Sequence, residues 1–377
     1  MWSELTPAQE SERLACRAFV DREIVPNAAL FEREQRIPLE LIKALAQPHY
    51  LAADIKTLNG GGGKDSLTYG LITQEIGRGC SSVRSLITVH DMVAHAIERW
   101  GAKELRDSWL PRLVTGEKLA AFALTEPNVG SDARQVATAA VRQNGSFILN
   151  GEKKWITGGQ IADLFLVFAN CEGQPVAFLI ERNTPGLSIK PISDVLGTRA
   201  SMLAALSLAD CRVPDGNLVG KIGFGFSHVG AVALDHGRYS VAWGCVGIIQ
   251  ACFEACLQYV NERQQFGSYL RDHQLIRRLI SNMATNLRAA RLLCLHAGHL
   301  KDAGDPSAAV ETQIAKYFAS RAAAKTASDA VQIHGANGCS DDYPVARYYR
   351  DAKVMEIIEG SNEIQQLTIA EHVYHGF

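Results

Sequence analysis

The chain has 377 residues, with 38 Lys and Arg against 40 Asp and Glu, a net charge of −2, and 47% hydrophobic and 21% charged residues. This is the balance of a folded globular protein long enough for two or three packed units, and it argues against both a disordered chain and a polyanion binder. The amino terminus, MWSELTPAQESERLACRAFV, has acids and a helical pattern where a secretory signal has a basic start and an apolar core. No uninterrupted apolar run looks long enough to span a bilayer, so a cytoplasmic protein with no membrane and no nucleic-acid partner is expected. Nine scattered cysteines without a CxxC pair predict reduced thiols, and no metal centre is expected. Cys252 and Cys256 read as small core residues, and the pairs His90/His95 and His296/His299 lack an HExxH frame.

From Pro7 to about residue 118 the apolar spacing is helical, best seen in SLITVHDMVAHAIERWG, where Leu86, Val89, Val93, Ile97 and Trp100 share one face. The glycine run at 60–63 interrupts this region as a loop. Near residue 119 the period shortens: LAAFALTEP, FILNGEKKWIT, ADLFLVFAN, VAFLIER, LSIKPI and MLAALSLADCRVP are β-type runs. Asn144-Gly145 and Asn150-Gly151 are dipeptides that close hairpins, so a compact antiparallel sheet or barrel is predicted here. From about Val229 three long helical patterns follow, ending near Gly267, Gly304 and Gly335. The expected fold is α+β: a helical unit over 1–120, a middle antiparallel β unit over 121–229, and a helical bundle over 230–377.

Two nucleotide motifs fail on spacing. LNGGGGKDS has Leu58 six positions before Lys64 and Asp65 where a magnesium-binding hydroxyl belongs, and GKIGFGFSHVG lacks both a third glycine and a strand-turn-helix setting. Other segments combine as a set. LTEPNVGSD (124–132) offers hydroxyls and glycine-turn amides to a planar, hydrogen-bonding cofactor. KKWITGG (153–159) places an indole beside a hydroxyl, RQQFG (263–267) joins a phosphate-competent arginine to a phenylalanine, and QIHGANG (332–338) sets a glutamine before a glycine-rich approach. In MEIIEGSNEI (355–364), Glu359 has two readings. It lies just outside a helix start where Ser361 caps and Glu363 favours the dipole, or it is a carboxylate whose apolar neighbours raise its proton affinity, as a general base requires.

In this order and spacing the set resembles the FAD-dependent acyl-CoA dehydrogenase family over nearly the whole chain, through LPRLVTGEKLAAFALTEPNVGSD, LDHGR, RQQFG with DHQ, and AVQIHGANG…YPVARYYRDAKVMEIIEGSNEIQ. The resemblance implies three domains, α then β then four-helix bundle, with FAD at the interface of a homodimer or homotetramer. Leu124, Thr125, Gly130, Ser131, Trp155 and Thr157 would hold the flavin from one subunit, Ser131 also facing the substrate. Arg263, Phe266, His273, Gln274, Gln332 and Gly335 would reach the dinucleotide across the dimer, and Ser361 with Glu363 would close over it. Glu359 would be the base; some members carry it instead just before the arginine of LDHGR, which here is Gly237. Arg238 would orient acid and substrate, and Asp235 would contact the acyl carrier arm.

GCSSVRSLITVHDM, YSVAWGCVGI, DHQLI and YRDAKVMEIIEGS further resemble a subgroup that makes methoxymalonyl or aminomalonyl polyketide extender units on an acyl carrier protein. That implies a three-carbon hydroxyacyl (glyceryl-type) or seryl thioester as substrate, with a further electron acceptor. A short-chain acyl-CoA dehydrogenase and a non-catalytic flavin-binding scaffold are the alternatives.

Overall fold

A computed structural model describes residues 5–374. The chain opens with six helices: α1 (Pro7–Glu23), α2 (Ala28–Glu34), α3 (Leu39–Ala46), α4 (Ser66–Gly79), α5 (Ser81–Trp100) and α6 (Lys103–Val114). Helix α1 starts at a reciprocal cap. Thr6 Oγ1 accepts the Gln9 N–H at 3.2 Å, and Gln9 Oε1 accepts the Thr6 N–H at 2.9 Å, so two otherwise unpaired donors are satisfied. Helix α5 buries its apolar face as expected, but Arg84, Ser85, Thr88, His90 and Asp91 are buried too. It is therefore an internal helix that carries polar as well as apolar side chains into the interior.

Seven strands follow: β1 (Ala120–Ala123), β2 (Ala139–Gln143), β3 (Ser146–Ile156), β4 (Leu164–Cys171), β5 (Gln174–Glu181), β6 (Leu187–Pro191) and β7 (Ala204–Pro214). They form one sheet ordered β1-β4-β2-β3-β7-β6, with β5 on β4. The expected antiparallel pairing holds for β2–β3, β3–β7, β4–β5 and β6–β7, whereas β1 and β4 run parallel. Strand β2 has no counterpart among the sequence-predicted runs, because its alanines and polar residues show little alternation. Asn144 and Gly145, with φ of 50° and 72°, close the β2–β3 hairpin. Asn150-Gly151 does not make a turn; it lies within β3 at a register shift against β7.

A π-helical turn over Gly225–Gly230 leads into α7 (Ala231–Glu262), then the small hairpin β8 (Gln264–Gln265) and β9 (Ser268–Tyr269), α8 (Gln274–Ala303), α9 (Ala308–His334), α10 (Val345–Met355) and α11 (Asn362–Tyr374). The helical run Gly225–Glu262 is long and apolar enough to cross a membrane, contrary to the sequence expectation, but 72% of its apolar window is buried inside the protein. It is the central core helix. One apolar cluster takes in α1, α4, α7, α8, α9 and α10, so the first and last helical segments share a core. Eight cysteines are buried, Cys339 is exposed, and all nine are free thiols.

Candidate active site

Glu359 sits between α10 and α11 with φ of 54°, followed by Gly360 at 84°. A glutamate in the left-handed region is strained, and strain of this kind persists only where the surroundings impose it. Here they do. Arg238 Nε on α7 donates to the Glu359 carbonyl at 3.3 Å, Gln365 Nε2 on α11 donates to the Glu359 and Gly360 carbonyls at 3.1 Å each, and Lys316 Nζ on α9 donates to the Gly360 carbonyl at 2.8 Å. Ser320 Oγ fixes Asn362 Oδ1 at 2.8 Å, tying the start of α11 to α9.

The carboxylate points inward. Its Oε2 is buried without a hydrogen-bond partner, and burial raises the pKa to about 7 against the opposing pull of Arg238, Arg84 and Lys316. Lys316, also buried, is pushed down to about 8. Across from Glu359 lies Gly237. A Cβ added there would come within 2.6 Å of Glu359 Oε2 and 2.9 Å of Met92 Sδ, so the two positions that could carry the base face the same point. Arg84 donates to Ser85 Oγ at 2.9 Å and Thr88 Oγ1 at 3.2 Å from α5, and Thr88 meets Ser240 of α7 at 2.6 Å.

The loop after β1 is hung on a buried ion pair. Lys153 Nζ donates to Glu126 Oε1 at 2.7 Å and to the Leu124 carbonyl at 3.2 Å, while the Ala137 and Thr138 N–H groups and the Thr138 hydroxyl also donate to Glu126. The Lys154 N–H donates to the Thr125 carbonyl at 2.9 Å. Leu124 is buried, Thr125 and Thr157 are half-buried, and Gly130 and Ser131 are exposed on this loop. Trp155, with φ of 63° at a register shift of β3, is turned half into solvent. Exposed amides, hydroxyls and an indole on one braced edge suit the flat, polar ring of a flavin.

The second predicted set lies elsewhere, where α7 passes into α8 and where α9 ends. Phe266 and Gly267, with φ of 53° and 76°, form the tip of the β8–β9 hairpin, and Phe266 is 95% exposed. His273 Nε2 meets the Gln265 carbonyl at 3.2 Å at the entrance to α8. Arg263, Gln274, Gln332 and Gly335 are exposed. Phe266 stands as an apolar ring almost wholly in water, with the His273 ring at a centroid distance of 6.2 Å. Ser361 accepts the Gln365 N–H through its backbone carbonyl at 3.0 Å, and its hydroxyl holds the exposed Glu363 carboxyl below the usual range. Asp235 does not stand free for a carrier arm: its carboxylate is paired with Lys301.

Sequence reading missed the supports. Lys153 shares the inward phase of β3 with Phe147 and Leu149, and Lys316 lies on the buried stripe of α9 with Thr312 and Ser320. A lysine on an inward phase was the available signal.

Three models match the chain end to end: the acyl-CoA dehydrogenase N-terminal domain over residues 6–117, the middle domain over 121–211 and the C-terminal domain over 223–374. The rat mitochondrial short-chain specific acyl-CoA dehydrogenase is 37% identical, covering 99% of this chain and 92% of its own. A glutaryl-CoA dehydrogenase of Mycobacterium smegmatis solved in complex with FADH2 has a TM-score of 0.94 at 28% identity, covering 98% and 95% of the two chains. FkbI, described as acting in biosynthesis of the methoxymalonyl extender unit of a polyketide immunosuppressant, has a TM-score of 0.89 at 32% identity over 95% of this chain and 99% of that one.

Proposed function

The chain belongs to the acyl-CoA dehydrogenase family of flavin-dependent oxidoreductases, and we propose that it dehydrogenates a three-carbon hydroxyacyl or seryl thioester carried on an acyl carrier protein. The observation that carries the reaction type is the buried, unpartnered Oε2 of Glu359 with its pKa raised to about 7. Such a group is ionised in a useful fraction near neutrality and still basic enough to take the weakly acidic proton α to a thioester. Arg238, Gln365 and Lys316 hold the backbone on either side, and the Glu359 N–H is offered to the thioester oxygen, where enolate charge develops. The residues around Trp155, together with residues of a second subunit, would hold FAD, which would supply the acceptor for the β-hydride. Gly237 leaves room for the Glu359 carboxylate. Where the β-carbon bears a hydroxyl, the product is an enol that tautomerises to an aldehyde.

FkbI supports the carrier-bound substrate. The rat short-chain relative supports a second reading, a CoA-linked short-chain substrate. Anaerobic titration of the yellow protein separates them. Loss of the oxidised flavin band with glyceryl- or seryl-carrier protein, and not with butyryl-CoA, is expected; bleaching by butyryl-CoA alone would favour the second.

A further inference from the structure

Between α5 and α7, within a helical turn of Met92 and Gly237, lies a polar cluster that the steps above do not use. His236 directly precedes Gly237 on α7, and His95 follows Met92 by three positions on α5, so both lie one helical turn or less from the two residues that flank the Glu359 carboxylate. Asp54, on the loop between α3 and α4, joins them. Its Oδ1 meets His95 Nε2 at 2.9 Å, and its Oδ2 faces His236 Nδ1 at 3.6 Å. The imidazoles pack on each other with centroids 4.2 Å apart, and Tyr69 of α4 covers His236 at 4.6 Å. Asp91 positions the loop, its Oδ1 accepting the Ala52 N–H at 2.8 Å.

Two features give the cluster a direction. The side chains of His95 and Asp54 remain 20% and 15% exposed, so the cluster is not sealed into the core. His236 is 7% exposed, and its Nε2 is buried with no partner. The tautomer with its proton on Nδ1, toward the Asp54 carboxylate, leaves Nε2 as a bare acceptor. Burial works against the charge of His95, yet Asp54 beside it raises its pKa; burial, then the charge of His95, pushes His236 down to about 3 and keeps it neutral. Asp54 pulls the pKa of both imidazoles upward, while Lys301 adds to the downward push on His236.

We propose that Asp54, His95 and His236 form a subsite for a hydroxyl or amino substituent on the acyl group, with His236 Nε2 accepting its hydrogen bond. This rests on the dehydrogenase reading and names what the acyl end of that site recognises. A buried acceptor that a substrate donor satisfies discriminates against a methyl in the same place, because the methyl leaves it unpaired.

The test compares near-isosteres as pantetheine thioesters: butyryl, 3-hydroxypropionyl and 3-aminopropionyl, with propionyl as the unsubstituted control. In each, Glu359 takes the α-proton and two electrons leave with the β-hydride to the flavin. The measured quantity is anaerobic flavin reduction expressed as kcat/KM. The 3-hydroxypropionyl or 3-aminopropionyl thioester is expected to exceed butyryl by at least about tenfold, the higher of the two naming the natural substituent. His236→Phe should collapse that ratio, and His236→Gln, which keeps an acceptor, should restore part of it. A His95→Gln variant reads the same ratio should the phenylalanine variant fail to fold. Butyryl equal to or better than the polar thioesters would overturn the subsite while leaving the dehydrogenase intact. Bleaching by no thioester would remove both. A stoichiometric divalent metal in the purified protein, whose chelation abolishes the ratio, would overturn the proposal in favour of a metal site.

Discussion

A base that takes a proton from carbon must be desolvated, and Glu359 is: its Oε2 has no partner and its pKa lies near 7. In free enzyme, kcat/KM should therefore rise with pH through about 7 and level above it. Glu359→Gln should lose about 10³-fold or more in turnover while retaining flavin, read by steady-state assay and by the flavin-to-protein absorbance ratio. The same shift fixes a stability effect of unusual sign. A carboxyl whose folded pKa exceeds its unfolded value of about 4.5 binds more protons when folded, so its contribution is complete below pH 4.5 and is lost as pH rises through 7. Glu359→Gln should accordingly be more stable than wild type at pH 8, by at most about 3 kcal/mol, and indistinguishable near pH 4.5 in denaturant titrations. Because Gly237 and Glu359 face one point, Glu359→Gly combined with Gly237→Glu should recover part of the turnover that Glu359→Gly alone loses. The proposed base was legible in MEIIEGSNEI only as one of two readings; apolar neighbours hinted at desolvation, but the donors that hold the Glu359–Gly360 carbonyls come from α7 and α9 as well as from nearby Gln365, and the first two lie far away in the chain.

Among elements, the loop after β1 depends on a pair buried on both sides, Lys153 and Glu126, with side-chain exposures of 0% and 5%. Lys153→Met leaves Glu126 charged with its backbone donors but without its cation, and breaking a buried pair from one side costs about 3–5 kcal/mol. The loop should loosen before the helices do, so the variant is expected to purify with less flavin and a lower Tm, and flavin content is the more direct readout. Turn chemistry made part of this scale readable in advance, since Asn144-Gly145 closes β2–β3, whereas the β8–β9 hairpin closed by Phe266-Gly267 stood where only a helix end was read. Asn150-Gly151 shows the limit of that signal. The same dipeptide letters serve a register shift inside a long strand when the flanking residues continue the ladder with β7. Strand β2 was invisible because its pairing with β3 is set by the turn and not by alternation.

At the scale of the molecule, helix order and the broad three-part pattern were readable from periodicity, but the sharing of one core between the first and last helical segments was not. α4 is buried along nearly its whole length, and its contact with α7 mixes apolar residues with glycines and polar pairs such as Gln74 with Gln250, so no single apolar stripe marks it. The nearly naked Phe266 belongs to this scale as well. If the flavin site is shared between subunits as proposed, Phe266→Ala should weaken flavin retention most at low protein concentration, where such a site is diluted apart, as ultracentrifugation with absorbance at the flavin band would record. The reaction itself is tested most directly by anaerobic mixing of wild type and Glu359→Gln with three-carbon carrier-bound thioesters. Rapid bleaching of the oxidised flavin in wild type, absent in a variant that is equally yellow, is the predicted result. Equal bleaching in both proteins, or none in wild type with any acyl thioester, would contradict Glu359 as the base of a flavin-dependent dehydrogenation.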